Sequence, residues 1–141
     1  MPTSRSEPNW LPIEVAIDTA QDVVGETDEP FVLLDAGLLE SALSRPRNHW
    51  EYGEDDILTL AIILLVAIAR NHAFIQGNKR TAFICAELFL EINGYTLSIR
   101  DDEILGDALT RMIEGEISEE DFRSAVENSV RSAEPPPSLP E

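Results

Sequence analysis

Cysteine occurs once in the 141 residues, at Cys85, so neither an internal disulfide framework nor a cysteine-built metal cluster is possible. Lysine also occurs once, at Lys79. The other nine basic residues are arginine, and 27 acids against these 10 bases leave a net charge of −17. A field of that sign repels DNA, RNA and anionic membranes, which removes generic nucleic-acid binding from consideration. The longest purely apolar run is the ten residues Leu60–Ala69, where a membrane-spanning helix needs about 20. Met1 to Trp10 holds no apolar stretch of the kind a secretory signal uses, so a cytoplasmic location is expected. What the chain does have is 43% hydrophobic residues, too many for an acidic disordered tail, and length enough for one domain.

Proline marks the ends of that domain. Residues 1–10 are polar and read as a flexible N-terminal tail, and 132–141 (SAEPPPSLPE) hold four of the nine prolines and read as an extended, disordered one. Between them, residues 11–131 follow helical spacing. Ile13, Ala16, Ile17, Ala20 and Val24 recur after Pro12, which suits a first-turn proline. Phe31 to Leu34 breaks the rhythm and reads as a short strand or an apolar loop. Asp35 can cap a helix carrying Leu38, Leu39, Ala42 and Leu43 and stopped before Pro46. Asp55 and Asp56 open a helix that is apolar on every side, which makes it central and buried. A second buried helix runs from Asn78 to Asn93-Gly94. A short extended stretch (Tyr95 to Ile99), a helix opened by Asp101 and a last helix capped by Ser118 complete an all-α fold. It has two central buried helices and at most a short β element.

The chemistry is concentrated in His72-Ala-Phe-Ile-Gln-Gly-Asn-Lys-Arg80, the connector between the two apolar helices. Polar groups placed there are costly unless partners or a ligand satisfy them. Gly77 permits positive φ or close backbone approach, and Gly77, Asn78 and Lys79 can offer successive N–H groups at a helix start that favours anions. Lys79 and Arg80 add two positive charges at the same place. His72 brings the side chain type that exchanges protons near neutral pH. An anion cradle with one general base describes group transfer from a nucleotide to a hydroxyl.

Six positions in this segment, His72, Phe74, Gly77, Asn78, Lys79 and Arg80, match the pattern H-x-F-x-[D/E]-G-N-[G/K]-R. The segment therefore resembles the signature of the Fic/Doc (Fido) superfamily. LLESALSRPRN (Leu38 to Asn48) and TAFICAELFLEINGY (Thr81 to Tyr95) look like its death-on-curing (Doc) branch, and the resemblance extends over Asp35 to Val126. Lys79 stands where the adenylylating Fic enzymes usually have a second glycine, and Phe83 where they carry a further arginine. The resemblance implies a toxin of a toxin–antitoxin system that moves a phosphoryl group from ATP to a hydroxyl of a translation factor, elongation factor Tu. A small antitoxin would fold a helical segment onto it. It also implies roles: His72 deprotonates the target hydroxyl, Phe74 packs inward, Gly77, Asn78 and Lys79 hold phosphates, and Arg80 neutralises their charge. Fic members move AMP instead, which is the alternative activity.

One position departs from the pattern. Gln76 replaces the acid that in the family helps hold Mg²⁺, and an amide oxygen can ligate Mg²⁺ but adds no charge. Gln76 then holds the metal weakly, donates its N–H₂ to a phosphate, or marks a catalytically weakened nucleotide- or partner-binding module. Arg80 has an alternative use as an ion-pair partner of Glu87 or Glu91. Arg45 and Arg47 either reach a nucleotide or target, or cap the helix end beside Pro46. Thr110 to Gly115 superficially matches an inhibitory-helix pattern of some Fic proteins, but Glu114 closes an ordinary amphipathic helix and the match reads as coincidence.

Overall fold

The apolar run Leu60–Ala69 has no polar side to turn towards water, so it must be covered all round. The computed structural model describes residues 5–97 and 102–132, and among these are six α-helices. They are α1 (Ile13–Gly25), α2 (Ala36–Glu51), α3 (Ile57–Asn71), α4 (Asn78–Ile92), α5 (Asp102–Ile113) and α6 (Glu119–Val126). Strands β1 (Tyr95–Leu97) and β2 (Val130–Ser132) pair antiparallel, Tyr95 opposite Ser132 and Leu97 opposite Val130. Helix α3 carries the apolar run and is the centre, with Leu60, Leu64, Leu65 and Ile68 all deeply buried. Helices α2 and α4 cover most of it, α5 and α6 close the remaining side, and α1 lies on α4. The all-α architecture with two central helices and one short β element is the one that the hydrophobic patterning implies.

Local chemistry sets the helix starts. Asp35 accepts a hydrogen bond from the Leu38 N–H at 3.2 Å, and Ser118 accepts one from Asp121 at 2.9 Å. Pro12 is the N-cap of α1 rather than its first helical residue. Pro46 overturns an expectation, because α2 does not stop before it but runs through to Glu51. An interior proline forfeits one main-chain hydrogen bond, at a cost of about 3 kcal/mol. Here the ring is fully buried, and removal of its apolar surface from water offsets part of that cost. Arg45 and Arg47 therefore lie within the helix and cap nothing.

The expected N-terminal tail is docked from Arg5 onward. Arg5 pairs with Asp55 at 2.6 Å and stands 4.4 Å from the Trp50 ring centre. Asn9 and Asn93 exchange hydrogen bonds of 2.8 and 2.9 Å, and Trp10 stacks on Phe89 with centroids 6.0 Å apart. At the other end Ser132 is a strand residue, not the first residue of a tail. Met1–Ser4, residues 133–141, the Ser98–Ile99 part of the extended stretch and the helix start at Asp101 lie outside the described residues.

Asp56 ties the centre to α6. It caps α3 by accepting from the Thr59 N–H at 2.9 Å and hydroxyl at 2.7 Å, and takes Arg123 Nη2 at 2.7 Å. Burial raises its pKa, but the hydrogen bonds from Thr59 and Arg123 together with the guanidinium charge outweigh that and hold the carboxyl below 3.8. A depressed carboxylate stabilises the fold above its unfolded pKa, and that contribution is lost as pH falls through the folded value. Asp56→Ala should lower the unfolding free energy by about 1–2 kcal/mol at neutral pH, read by urea titration. The gap from the parent should shrink as pH falls below the ordinary aspartate range. An equal gap at neutral and at acidic pH would contradict this role.

Candidate active site

Six residues connect Asn71 at the end of α3 to Asn78 at the start of α4, and two of them carry left-handed backbone. His72 is the C-cap of α3, at φ 50°, ψ 43°, and Gly77 is the N-cap of α4, at φ 76°, ψ 13°. For a residue with a Cβ that conformation costs about 1–2 kcal/mol, so surrounding structure must hold His72 in place. It does so on both sides. Before the turn, Asn71 Nδ2 donates to the Leu38 carbonyl at 3.1 Å. After it, the chain runs antiparallel to the segment preceding α2, with Leu33 opposite Phe74. The Leu34 N–H donates to the Ala73 carbonyl at 2.7 Å and the Ile75 N–H to the Val32 carbonyl at 3.1 Å. The stretch Phe31–Leu34, open between strand and loop in the sequence, is thus a single-bridge ladder. Phe74 turns inward, 1% exposed, and packs on Phe31 with centroids 5.8 Å apart.

Asn78 closes the loop. Its Nδ2 donates to the Phe74 carbonyl at 2.7 Å, and its Oδ1 accepts the Phe74 N–H at 3.2 Å. The side chain is therefore engaged with the loop's own backbone, and what α4 can offer a ligand is main-chain N–H. The first helical hydrogen bond runs from the Thr81 N–H to the Gly77 carbonyl at 2.8 Å. The N–H groups of Asn78, Lys79 and Arg80 precede it and find no acceptor among the described residues. Gly77 has no alternative here, since a Cβ would sit 3.1 Å from Val23 Cγ1 as well as demanding positive φ. The Thr81 hydroxyl beneath is buried without a partner among the described residues.

Lys79 is exposed and makes no ion pair among the described residues. Arg80 is exposed too, but its partner is neither Glu87 nor Glu91: Nη2 lies 2.8 Å from Oε2 of Glu26, the residue just past α1. Glu26 is the member of this site that sequence reasoning missed. His72 stands at the other end of the same loop, exposed, with no hydrogen-bond partner among the described residues. Gln76 is half-buried beside Gly77. No group of three or more His, Cys, Asp or Glu able to hold a metal occurs among the described residues, and at this loop the Gln76 amide could lend Mg²⁺ one neutral oxygen donor. That donor fits a cation carried mainly by phosphate oxygens, not one caged by the protein.

Other singled-out residues lie elsewhere. Arg47 pairs with Glu51 at 3.5 Å and approaches Glu7 at 4.0 Å, and Arg45 is exposed nearby. The part of α2 that meets the loop is its first turn, at Leu38. At 1.5 Å per residue Arg47 lies about 13 Å further along the axis. The structure does not bring these two arginines to the loop. Cys85 is core, its thiol pushed up to about 12 by burial, against a weaker lowering by Thr19. Phe83 packs against the core, and Glu114 is an exposed residue at the end of α5 with Gly115 turning the chain at φ 81°.

An open helix start, two cations and an imidazole are thus joined by one loop. The Fic/DOC family profile matches residues 10–90, more than half of the chain, and the chain belongs to that family. Within it the chain falls on the Doc branch. It is 41% identical over 85 residues to Toxin Doc of Mycolicibacterium smegmatis (strain ATCC 700084 / mc(2)155), a match that covers 55% of this chain and 65% of the relative. It is 35% identical over 101 residues to Protein kinase doc of Escherichia phage P1, covering 71% of this chain and 79% of the relative. The chain thus spans just under two thirds of the first relative's length.

The backbone of the loop yields two opposite stability effects. His72→Gly should raise the unfolding free energy by about 0.5–1 kcal/mol, because glycine takes the left-handed conformation without the Cβ clash. Asn78→Ala should lower it by about 1–3 kcal/mol, because the Phe74 N–H and carbonyl lose their partners. Thermal melts compare both with the parent. A destabilised His72→Gly would show that the imidazole itself holds the loop.

Proposed function

We propose that the protein is a Doc-like toxin that transfers the γ-phosphoryl group of ATP to a hydroxyl side chain of a translation factor, with elongation factor Tu as the target that the family resemblance implies. One observation carries this reading: the unsatisfied first-turn N–H groups of α4, flanked by Lys79 and Arg80, share a short loop with the exposed His72. The N–H groups and the two cations receive the triphosphate, where the helix dipole adds to their attraction. His72 accepts the proton of the target hydroxyl, the hydroxyl oxygen bonds to the γ-phosphorus, and the bond from that phosphorus to the β–γ bridging oxygen breaks to release ADP. Mg²⁺, if bound, would neutralise phosphate charge, and Gln76 would be the residue of this loop to hold it. The phage relative is named a protein kinase and the mycobacterial one a toxin, and both names support the reading. So does Lys79 in place of the glycine usual in adenylylating enzymes. A small antitoxin as partner and a cytoplasmic setting belong to the same proposal. No helix among the described residues is long and apolar enough to cross a membrane.

ATP labelled at the α or the γ position, incubated with purified elongation factor Tu, tests the reaction. Label should pass to protein from the γ position only, and His72→Ala should slow transfer about 10²- to 10⁴-fold. Label from the α position would make the protein an adenylyltransferase, and ATP binding without any transfer would make it a binding module. Gln76→Glu should speed Mg²⁺-dependent transfer if metal binding limits the rate, and an unchanged rate would remove metal from the limiting step.

The Arg80–Glu26 pair opposes binding, because Glu26 must yield the guanidinium to a phosphate. Such exposed pairs are worth at most about 1 kcal/mol, so Glu26→Gln should tighten ATP binding up to about fivefold at low salt and little at 1 M salt. Calorimetry showing equal affinities at low salt would mean that Arg80 does not meet the phosphates.

A further inference from the structure

The ladder beside the loop has two faces. Leu33 and Phe74 form the inward pair, so Leu34 and Ile75 turn to the other face, where Ala73 opposite Leu34 is nevertheless buried and Val32 opposite Ile75 is half-buried. On that face Leu34 is 58% and Ile75 50% exposed, and Leu38, one turn into α2, is 40% exposed. Single exposed apolar residues are ordinary, but these three lie on segments that hydrogen bonds tie together around the turn that carries His72. Leu34 donates its N–H to Ala73, the neighbour of His72, and the Leu38 carbonyl receives the amide of Asn71, its other neighbour.

The charge around this rim is of one sign. Between Arg5 and Arg45 the sequence has no lysine, arginine or histidine, yet it holds nine acids. Asp28 and Glu29 precede the ladder, Asp35 and Glu40 follow it, and all four are exposed. Asp28, Glu29 and Glu40 make no ion pair among the described residues. The cations Lys79 and Arg80 lie beyond the loop, at the start of α4. The two sides of His72 thus differ in kind, with positive charge on one and an apolar patch within an acidic border on the other.

We propose that this rim selects the protein segment to be modified, and that the segment carries an apolar side chain close to its hydroxyl and lysine or arginine on its flanks. The proposal rests on His72 being the base that receives the hydroxyl proton. The apolar side chain covers Leu34, Leu38 and Ile75, and the cationic flanks meet the acidic border, which also repels acidic competitors.

Three short fluorescent threonine peptides test this: one with leucine beside the threonine and arginine flanks, one with leucine and glutamate flanks, one with serine in place of leucine and arginine flanks. Binding is read by anisotropy, and transfer by label from γ-labelled ATP. The leucine–arginine peptide should bind and be labelled about tenfold better than either of the others at low salt. Its lead over the glutamate peptide should fall at high salt. Leu34→Ser and Ile75→Ser should each weaken its binding several-fold and leave ATP affinity unchanged. Equal binding of the three peptides, or serine variants that bind like the parent, would overturn the proposal while leaving phosphoryl transfer standing. Selective binding with no label on any peptide or protein would support the rim and overturn the transfer reaction instead.

Discussion

The reciprocal pair of hydrogen bonds between the Asn78 side chain and the Phe74 main chain is the constraint on which the rest of the site depends. It joins the start of α4 to the middle of the connector, and the Leu33–Phe74 bridge joins that same residue to the segment before α2. Phe74 is thereby fixed through its N–H, its carbonyl and its ring. With that residue fixed, the left-handed turns at His72 and Gly77 follow, because the chain has only six residues in which to leave one buried helix and enter the other. Satisfied polar groups in such a place are expensive to arrange and hard to remodel, so the loop is built as a rigid support and not as a flexible link.

A division of labour follows within Asn78. Its side chain builds the loop, while its N–H belongs to the open first turn of α4. The same economy holds for Gly77, whose lack of a side chain allows both its backbone angle and its approach to Val23. Positive charge is rationed as well. In a protein of net charge −17, Lys79 and Arg80 are side by side at a helix start, and the nearest carboxylate, Glu26, already takes a share of Arg80. Competition between carboxylate and phosphate for one guanidinium would set the affinity of the site, and ionic strength would tune it.

Much of this was legible in the residues. The caps Asp35, Asp56 and Ser118 are local chemistry, decided within one helical turn, and the apolar run of α3 could only be central. The nine-residue motif located the candidate site because glycine, asparagine, lysine and arginine are needed there in a fixed order. What escaped depends on distant parts of the chain. Pro46 continues α2 because its ring is buried by the fold, which local propensity cannot reveal. The docking of Arg5, Asn9 and Trp10 needs Trp50, Phe89, Asp55 and Asn93 brought close to them. Glu26 meets Arg80 only because α1 lies on α4, and β2 is too short to stand out without β1 beside it.

The central claim is that a triphosphate is received by the N–H groups that open α4, within reach of His72. Titration of isotope-labelled protein with ATP and Mg²⁺, followed by backbone amide NMR, tests it directly. The account predicts that the largest shifts fall on Gly77, Asn78, Lys79 and Arg80, with the His72 ring resonances moving in step. Absence of shifts up to millimolar nucleotide, or shifts centred on another part of the fold, would contradict it.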